Sequence, residues 1–259
     1  MQDLRVAIVQ TVQYWEDKKK NLSHYEKRFE NEINEEIDLI LLPEMFNTGF
    51  TMNVASMAEK MNGISVEWLV QMAKKKDCAI GATLIIEEDQ NYYNRFIIVS
   101  EQGVLHQYDK RHLFRMAKEN DFFTQGTERK VICYKGWNIL LQVCYDLRFP
   151  VFSRNKTMGE EREYDLAIYL ANWPEKRNSV WKVLLQARAI ENQAYVIGVN
   201  RVGTDGNNIN YSGDSMCVDP WGAIENQLAE NEEVVKILTL KTQTLTNITK
   251  YFPAFKDAD

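Results

Sequence analysis

Residues 38–44 read "DLILLPE", and residues 165–173 repeat the same design as "DLAIYLANW". Each opens on Asp-Leu, runs through an apolar body too short for a typical helix, and ends on polar groups. A continuous apolar run of this length is the mark of a strand buried on both faces. The first is preceded by another β-branched run, "LRVAIVQT" (4–11), and by a polar-apolar pattern over 17–36 that predicts an amphipathic helix. The second is followed by a helical pattern over 178–193 and a further strand, "AYVIGVNRVG" (194–203). Two strand-helix-strand units in one chain predict two sheets, each covered by helices and packed face to face.

Residues 65–76, "SVEWLVQMAKKK", predict a helix with a Ser cap and a lysine-rich last turn suited to the negative end of the helix dipole. "CAIGATLIIEE" (78–88) follows as a strand. "NRFIIVS" and "VLHQYDK" read as a hairpin about "EQG", "VICY" and "NILLQVCYD" as a hairpin about "KGW", and "DSMCVDPWGAIENQ" as a hairpin with a Pro-Trp-Gly turn.

The chain has 259 residues, 45% of them hydrophobic, enough for a large core. No Gly/Ser/Pro-rich linker divides it, so a single domain spanning 1–259 is expected. A formal net charge of −6 with no basic arm argues against nucleic acid and anionic membrane as partners. "MQDLRVAIVQT" lacks the pattern of a signal peptide, and no apolar run approaches membrane-spanning length, so a soluble cytoplasmic protein is expected. Cys78, Cys133, Cys144 and Cys217 are widely spread, without CxxC spacing, which favours reduced thiols over disulfides or a zinc site.

Strand ends in α/β folds hold side chains rigidly while loops open to solvent. Three chemically capable groups end apolar runs: Glu44, Lys110 and Cys144. A carboxylate at the edge of a buried run can serve as a general base, a fixed lysine can stabilise an oxyanion, and a cysteine can act as nucleophile if a base and a positive charge adjoin it. The residues alone leave other readings open. Cys144 could be a small apolar filler, Glu44 a helix-capping or salt-bridged glutamate and Lys110 a plain surface lysine, or Cys144 could work with His112 as a Cys-His-Asp triad. His24 and His106 lie within predicted regular elements and read as structural.

Taken together, "LLPEMF", "YDKRHLF" and "VCYDLRFP", in this order, resemble the nitrilase-like carbon-nitrogen hydrolases. "ANWP", "LLQARAIENQAYVIGVNRVG" and "GDSMCVDPWG" extend the likeness over essentially the whole chain. The resemblance implies a four-layer α-β-β-α sandwich, subunits that pair into an eight-layer homodimer, and a Glu-Lys-Cys triad at Glu44, Lys110 and Cys144. The family's second glutamate matches Glu119 of "KENDFFTQG", where Lys118 and Asn120 replace the usual Gly and His. "YDKRHLFRMAKEN" and "CYDLRFPVFSRN" look most like the bacterial omega-amidase branch, which hydrolyses 2-oxo acid monoamides such as 2-oxoglutaramate and 2-oxosuccinamate.

On that basis the backbone N–H of Tyr145 joins Lys110 as an oxyanion donor, and no metal or organic cofactor is required. Asn172 and Trp173 are expected to line the pocket, with Phe46 and Phe114 as apolar walls. A substrate carboxylate calls for an arginine fork. Arg115, Arg148, Arg177 and Arg201 are candidates, Arg148 being equally able to pair with Asp146. Another amidase, a nitrilase or an N-carbamoyl amine hydrolase would use the same residues, and a silent binding or assembly protein on the same fold is a further alternative.

Overall fold

The structure is a computed structural model that describes residues 1–257. Its core is two six-stranded sheets. The first runs, in spatial order, Val234–Leu240, Leu4–Gln10, Leu39–Leu41, Ala79–Glu88, Asn91–Ser100 and Gly103–Asp109. The second runs Ile224–Gln227, Met216–Val218, Tyr195–Asn200, Leu166–Ala171, Trp137–Val143 and Val131–Tyr134. In each, the strand-helix-strand unit seen in the sequence supplies a parallel pair: Leu4–Gln10 beside Leu39–Leu41, and Leu166–Ala171 beside Tyr195–Asn200.

Strand alternation sorts the side chains between layers. Leu4, Val6 and Ile8 point into the core between the sheets, where they share one apolar cluster with Ile139, Leu141 and Ile168. Ala7 and Val9 point the other way, onto Leu22, Tyr25 and Phe29 of helix Lys18–Glu32 and onto Leu69 and Met72 of helix Ile64–Lys76. Trp181, Leu185 and Ala189 of helix Asn178–Asn192 cover the second sheet. The result is the expected helix-sheet-sheet-helix sandwich. Truncating any of the central aliphatics, Leu141 for example, should cost about 2–5 kcal/mol, because a packed layer on each side cannot collapse into the void. Gly198 shows how closely the helix approaches: a Cβ there would lie 2.4 Å from Leu185 and 2.6 Å from Trp181.

Several local expectations shift. "DLILLPE" pairs only over Leu39–Leu41, since Pro43 has no N–H for a ladder, and the chain leaves the sheet there. The helix beginning at Ile64 is preceded by Gly63 at its cap, and Ser65 instead sits buried, donating its hydroxyl to Glu59 at 2.7 Å. The helix predicted over 17–36 spans Lys18–Glu32, capped by the Asp17 carboxylate, which accepts from the Lys20 N–H at 3.0 Å. The closing strand Val234–Leu240 and helix Thr242–Tyr251 were not read from the sequence. That strand joins the first sheet by antiparallel pairing with Leu4–Gln10, a partner more than 200 residues away. No helix is long and apolar enough to cross a membrane among the described residues.

Candidate active site

Three strand ends converge at one edge of the sandwich. Past Pro43 the chain turns, and the Glu44 N–H reaches across to Ala171 of the second sheet at 3.4 Å. Lys110 directly follows strand Gly103–Asp109, its N–H bonded to the Asn94 carbonyl at 3.0 Å. Gly126 passes so close to this point that a Cβ would lie 2.1 Å from the Asp109 carbonyl oxygen.

Cys144 is not the last strand residue that the sequence suggested. The strand ends at Val143, and Cys144 opens a short 3-10 turn with φ +42°. Left-handed backbone is strained for a side chain with a Cβ, so the surroundings must hold it. Asp146 does so. Its buried carboxylate accepts from the Val143 N–H at 2.9 Å, the Tyr108 hydroxyl at 2.8 Å, and the His112 N–H at 2.9 Å and ring Nδ1 at 2.7 Å. This ties the Lys110 segment to the Cys144 turn.

Glu44, Lys110 and Glu119 are all buried. Lys110 Nζ donates to Glu44 Oε1 at 2.9 Å and to both Glu119 oxygens at 2.9 Å. The other Glu44 oxygen accepts from the Asn172 N–H at 2.8 Å, and Glu119 also accepts from the Phe114 N–H at 2.5 Å. Burial alone would lower the Lys110 ammonium, but the Glu119 and Glu44 charges outweigh it and raise its pKa, so it stays charged. Burial, with Glu44 adding to it against Lys110, raises the Glu119 carboxyl. Burial and then the Glu44 charge push the Cys144 thiol well above its ordinary range, Lys110 opposing them. The sulfur lies 3.9 Å from the Asn172 carbonyl oxygen, in surroundings that favour the thiol over the thiolate.

Lys110 and Cys144 open onto a cavity of about 600 Å³, while Glu44 and Glu119 lie buried behind its wall. Lys110, Cys144, Tyr145, Phe114, Asn172 and Trp173 all line it, as does a loop over Phe50–Asn53 that the sequence did not single out. Asn172 does more than line it, since both its N–H and its side-chain amide hold Glu44. Phe46 is a correction: it is fully buried on the helix side, stacked on Trp68 at 5.9 Å and edge-on to Tyr25 at 5.6 Å. It follows a turn at Met45, whose φ of +45° sends the next side chain away from the cavity.

Of the four arginines, Arg148 and Arg177 line the cavity. Arg148 lies over the Trp173 ring at 5.2 Å rather than on Asp146, whose acceptors are already engaged, and Arg177 lies over the Phe114 ring at 5.4 Å. Arg201 is buried and donates to the carbonyls of Val202 and Gln13, while Arg115 is exposed outside the cavity. His112 lines a different surface cleft with Arg111 and Phe149, and its ring is taken up by Asp146 and by stacking on Phe149. Glu16 and Asp205, also at the cavity, are engaged locally: Glu16 accepts from Thr51 and Asn53, Asp205 from the Tyr211 hydroxyl and two backbone N–H groups. Among the described residues no group of three or more His, Cys, Asp or Glu is arranged to hold a metal ion.

The sequence pattern of the family Carbon-nitrogen hydrolase matches residues 5–250. The chain is 43% identical to the omega-amidase YafV of Yersinia enterocolitica, over 100% of this chain and 98% of that one. It is 30% identical to the 2-oxoglutaramate amidase of Bacillus subtilis, over 85% of this chain and 84% of that one. Among solved structures it resembles XC1258 of Xanthomonas campestris, a CN-hydrolase superfamily protein carrying an arsenic adduct in its active site. The TM-score is 0.96 and the identity 40%, with 100% of this chain and 98% of the other covered. A pattern match over nearly the whole chain, and relatives of this closeness across their full length, establish that the chain belongs to the carbon-nitrogen hydrolase family.

Proposed function

We propose that the protein is an omega-amidase that hydrolyses the terminal amide of 2-oxo acid monoamides, such as 2-oxoglutaramate or 2-oxosuccinamate, to the dicarboxylic 2-oxo acid and ammonia. The observation that carries this reading is a buried Glu44-Lys110-Glu119 cluster beside Cys144, at a cavity lined also by Arg148 and Arg177.

Cys144 attacks the amide carbon as its proton passes to Glu44, the step that a high thiol pKa demands. The carbonyl oxygen becomes an oxyanion held by the Lys110 ammonium and the Tyr145 N–H. Glu44 returns the proton to the nitrogen, the C–N bond breaks, ammonia leaves, and a thioester remains. Water then loses a proton to Glu44 and attacks the thioester, and the departing sulfur is reprotonated. Glu119 orients Lys110 throughout. Arg148 and Arg177 take the substrate carboxylate, while Trp173, Asn172 and Phe114 form the surrounding wall. The relatives named above support the choice of amide.

We also propose one catalytic domain over 1–259, a cytoplasmic setting, and a homodimer formed through the helices on the second sheet. Exposed Val151, Val183 and Ile190 lie on that side and favour pairing there. Ammonia release from 2-oxoglutaramate, glutamine, a nitrile and an N-carbamoyl amine tests the function. The expected result is turnover of 2-oxoglutaramate above the others, abolished by Cys144→Ala and severely impaired by Cys144→Ser. Undiminished amidase activity in purified Cys144→Ala would sink it.

A further inference from the structure

Glu44 and Glu119 are two buried carboxylates facing one ammonium, so Lys110 alone leaves the cluster with a surplus negative charge. Such a pair repels itself and favours taking up a proton. One neutral side chain sits between them. Asn94, on strand Asn91–Ser100, is buried, and its Nδ2 lies 2.7 Å from Glu44 Oε1 and 3.3 Å from Glu119 Oε1. Its backbone carbonyl accepts the Lys110 backbone N–H at 3.0 Å, so the same residue contacts both carboxylates and fixes the chain that carries the ammonium. Ionised carboxylates only accept hydrogen bonds, which sets the amide with its nitrogen toward both. Its Oδ1 is buried and meets no donor among the described residues. The amide is thus oriented for the two acids and for nothing else around it.

We infer that Asn94 is a positioning residue whose amide nitrogen bridges Glu44 and Glu119, holds both carboxylates aimed at Lys110, and thereby sets the pH above which the carboxylate pair is free to take the Cys144 proton. This rests on Glu44 being the base. The groups that face Glu44 are Lys110, Glu119 and Cys144, which titrate, and the Asn172 N–H, which does not. Hydrogen bonds to the charged form favour that form, so losing the Asn94 donors should let the carboxylate pair hold a proton to higher pH. Asn94 does not line the cavity, so substrate binding should be little altered.

The test is the pH dependence of kcat/KM and of KM for ammonia release by Asn94→Ala and Asn94→Asp, each checked for a cooperative thermal transition. Asn94→Ala should move the acid limb upward by about one unit, a loss of about tenfold on its acid side, with KM near wild type. Asn94→Asp, almost the same volume, should move it further, because a third carboxyl joins the pair, and it carries the test if the alanine variant does not fold. An acid limb at the wild-type position in a folded variant, or a change confined to KM, overturns the inference. Failure of the underlying reading shows elsewhere: Glu44→Gln would then keep the wild-type rate.

Discussion

Replacing Lys110 by Met keeps most of the side-chain volume and removes the charge. Lys110 Nζ makes three contacts of 2.9 Å to two carboxylates that are themselves fully buried. Breaking a buried ion pair from one side typically costs about 3–5 kcal/mol, because the remaining charge is stranded away from water. For a chain of this size each kcal/mol lowers Tm by about 2–4 °C, so Lys110→Met should melt about 6–20 °C below wild type. The loss should depend on pH with a definite sign. Glu119 already has a raised pKa from burial and Glu44, with Lys110 pulling it down. Without Lys110 it rises further, so the folded state binds a proton that the unfolded state releases. A raised folded-state pKa adds stability below the unfolded pKa and loses it as pH climbs through the folded value. The deficit should therefore be small in mild acid and grow toward neutral and alkaline pH. Lys110→Met combined with Glu119→Gln removes one stranded charge and should recover much of the Tm. Activity should not return: under the proposed role of Lys110, loss of an oxyanion donor costs about 10²–10³ in kcat. Thermal melts across pH, with ammonia release on the same samples, read both effects. A Lys110→Met protein with wild-type Tm, or no recovery in the double variant, would refute the charge argument.

Arg148→Met and Arg177→Met should each raise KM for a carboxylate-bearing amide by about 10- to 100-fold, from about 1.5–3 kcal/mol per charged hydrogen bond, and leave a neutral amide unaffected. Equal losses on both substrates would remove the arginines from carboxylate recognition. Asp146→Ala strands donors from Tyr108, His112 and Val143; at about 1–3 kcal/mol for each unsatisfied buried group, urea unfolding should show a loss of at least about 3 kcal/mol, with a fall in kcat. Its isostere Asp146→Asn, which accepts through one oxygen only, should fall between. Val183→Glu with Ile190→Lys should convert a homodimer to monomer in sedimentation velocity if the second-sheet helices form the interface, and an unchanged sedimentation coefficient would place the interface elsewhere.

The layers of the fold were legible because buried strands declare themselves by composition. "DLILLPE", "CAIGATLIIEE" and "DLAIYLANW" have continuous apolar bodies since both faces are covered there, and helices 18–32 and 64–76 show their single apolar stripe. Glu44, Lys110 and Cys144 were legible as capable groups at the ends of such runs, and Glu119 through the family resemblance. What stayed hidden depends on contacts across long sequence separations or on the direction of one turn. The strand Val234–Leu240 is stabilised by pairing with the opposite end of the chain, which its own pattern cannot reveal. Phe46 looked like a cavity wall beside Glu44, and the positive φ at Met45 decided otherwise. Four arginines were equivalent in the sequence, and only packing separated Arg148 and Arg177, facing the cavity, from the internally bonded Arg201. Asn94 gave no sign of its place, since its value lies in two carboxylates that the fold brings to it from 50 residues before and 25 after. The amino-acid sequence by itself determined the chemistry available, through which side chains end which strands; the tertiary structure decided their burial and partners, because pairing and desolvation arise only once distant segments meet.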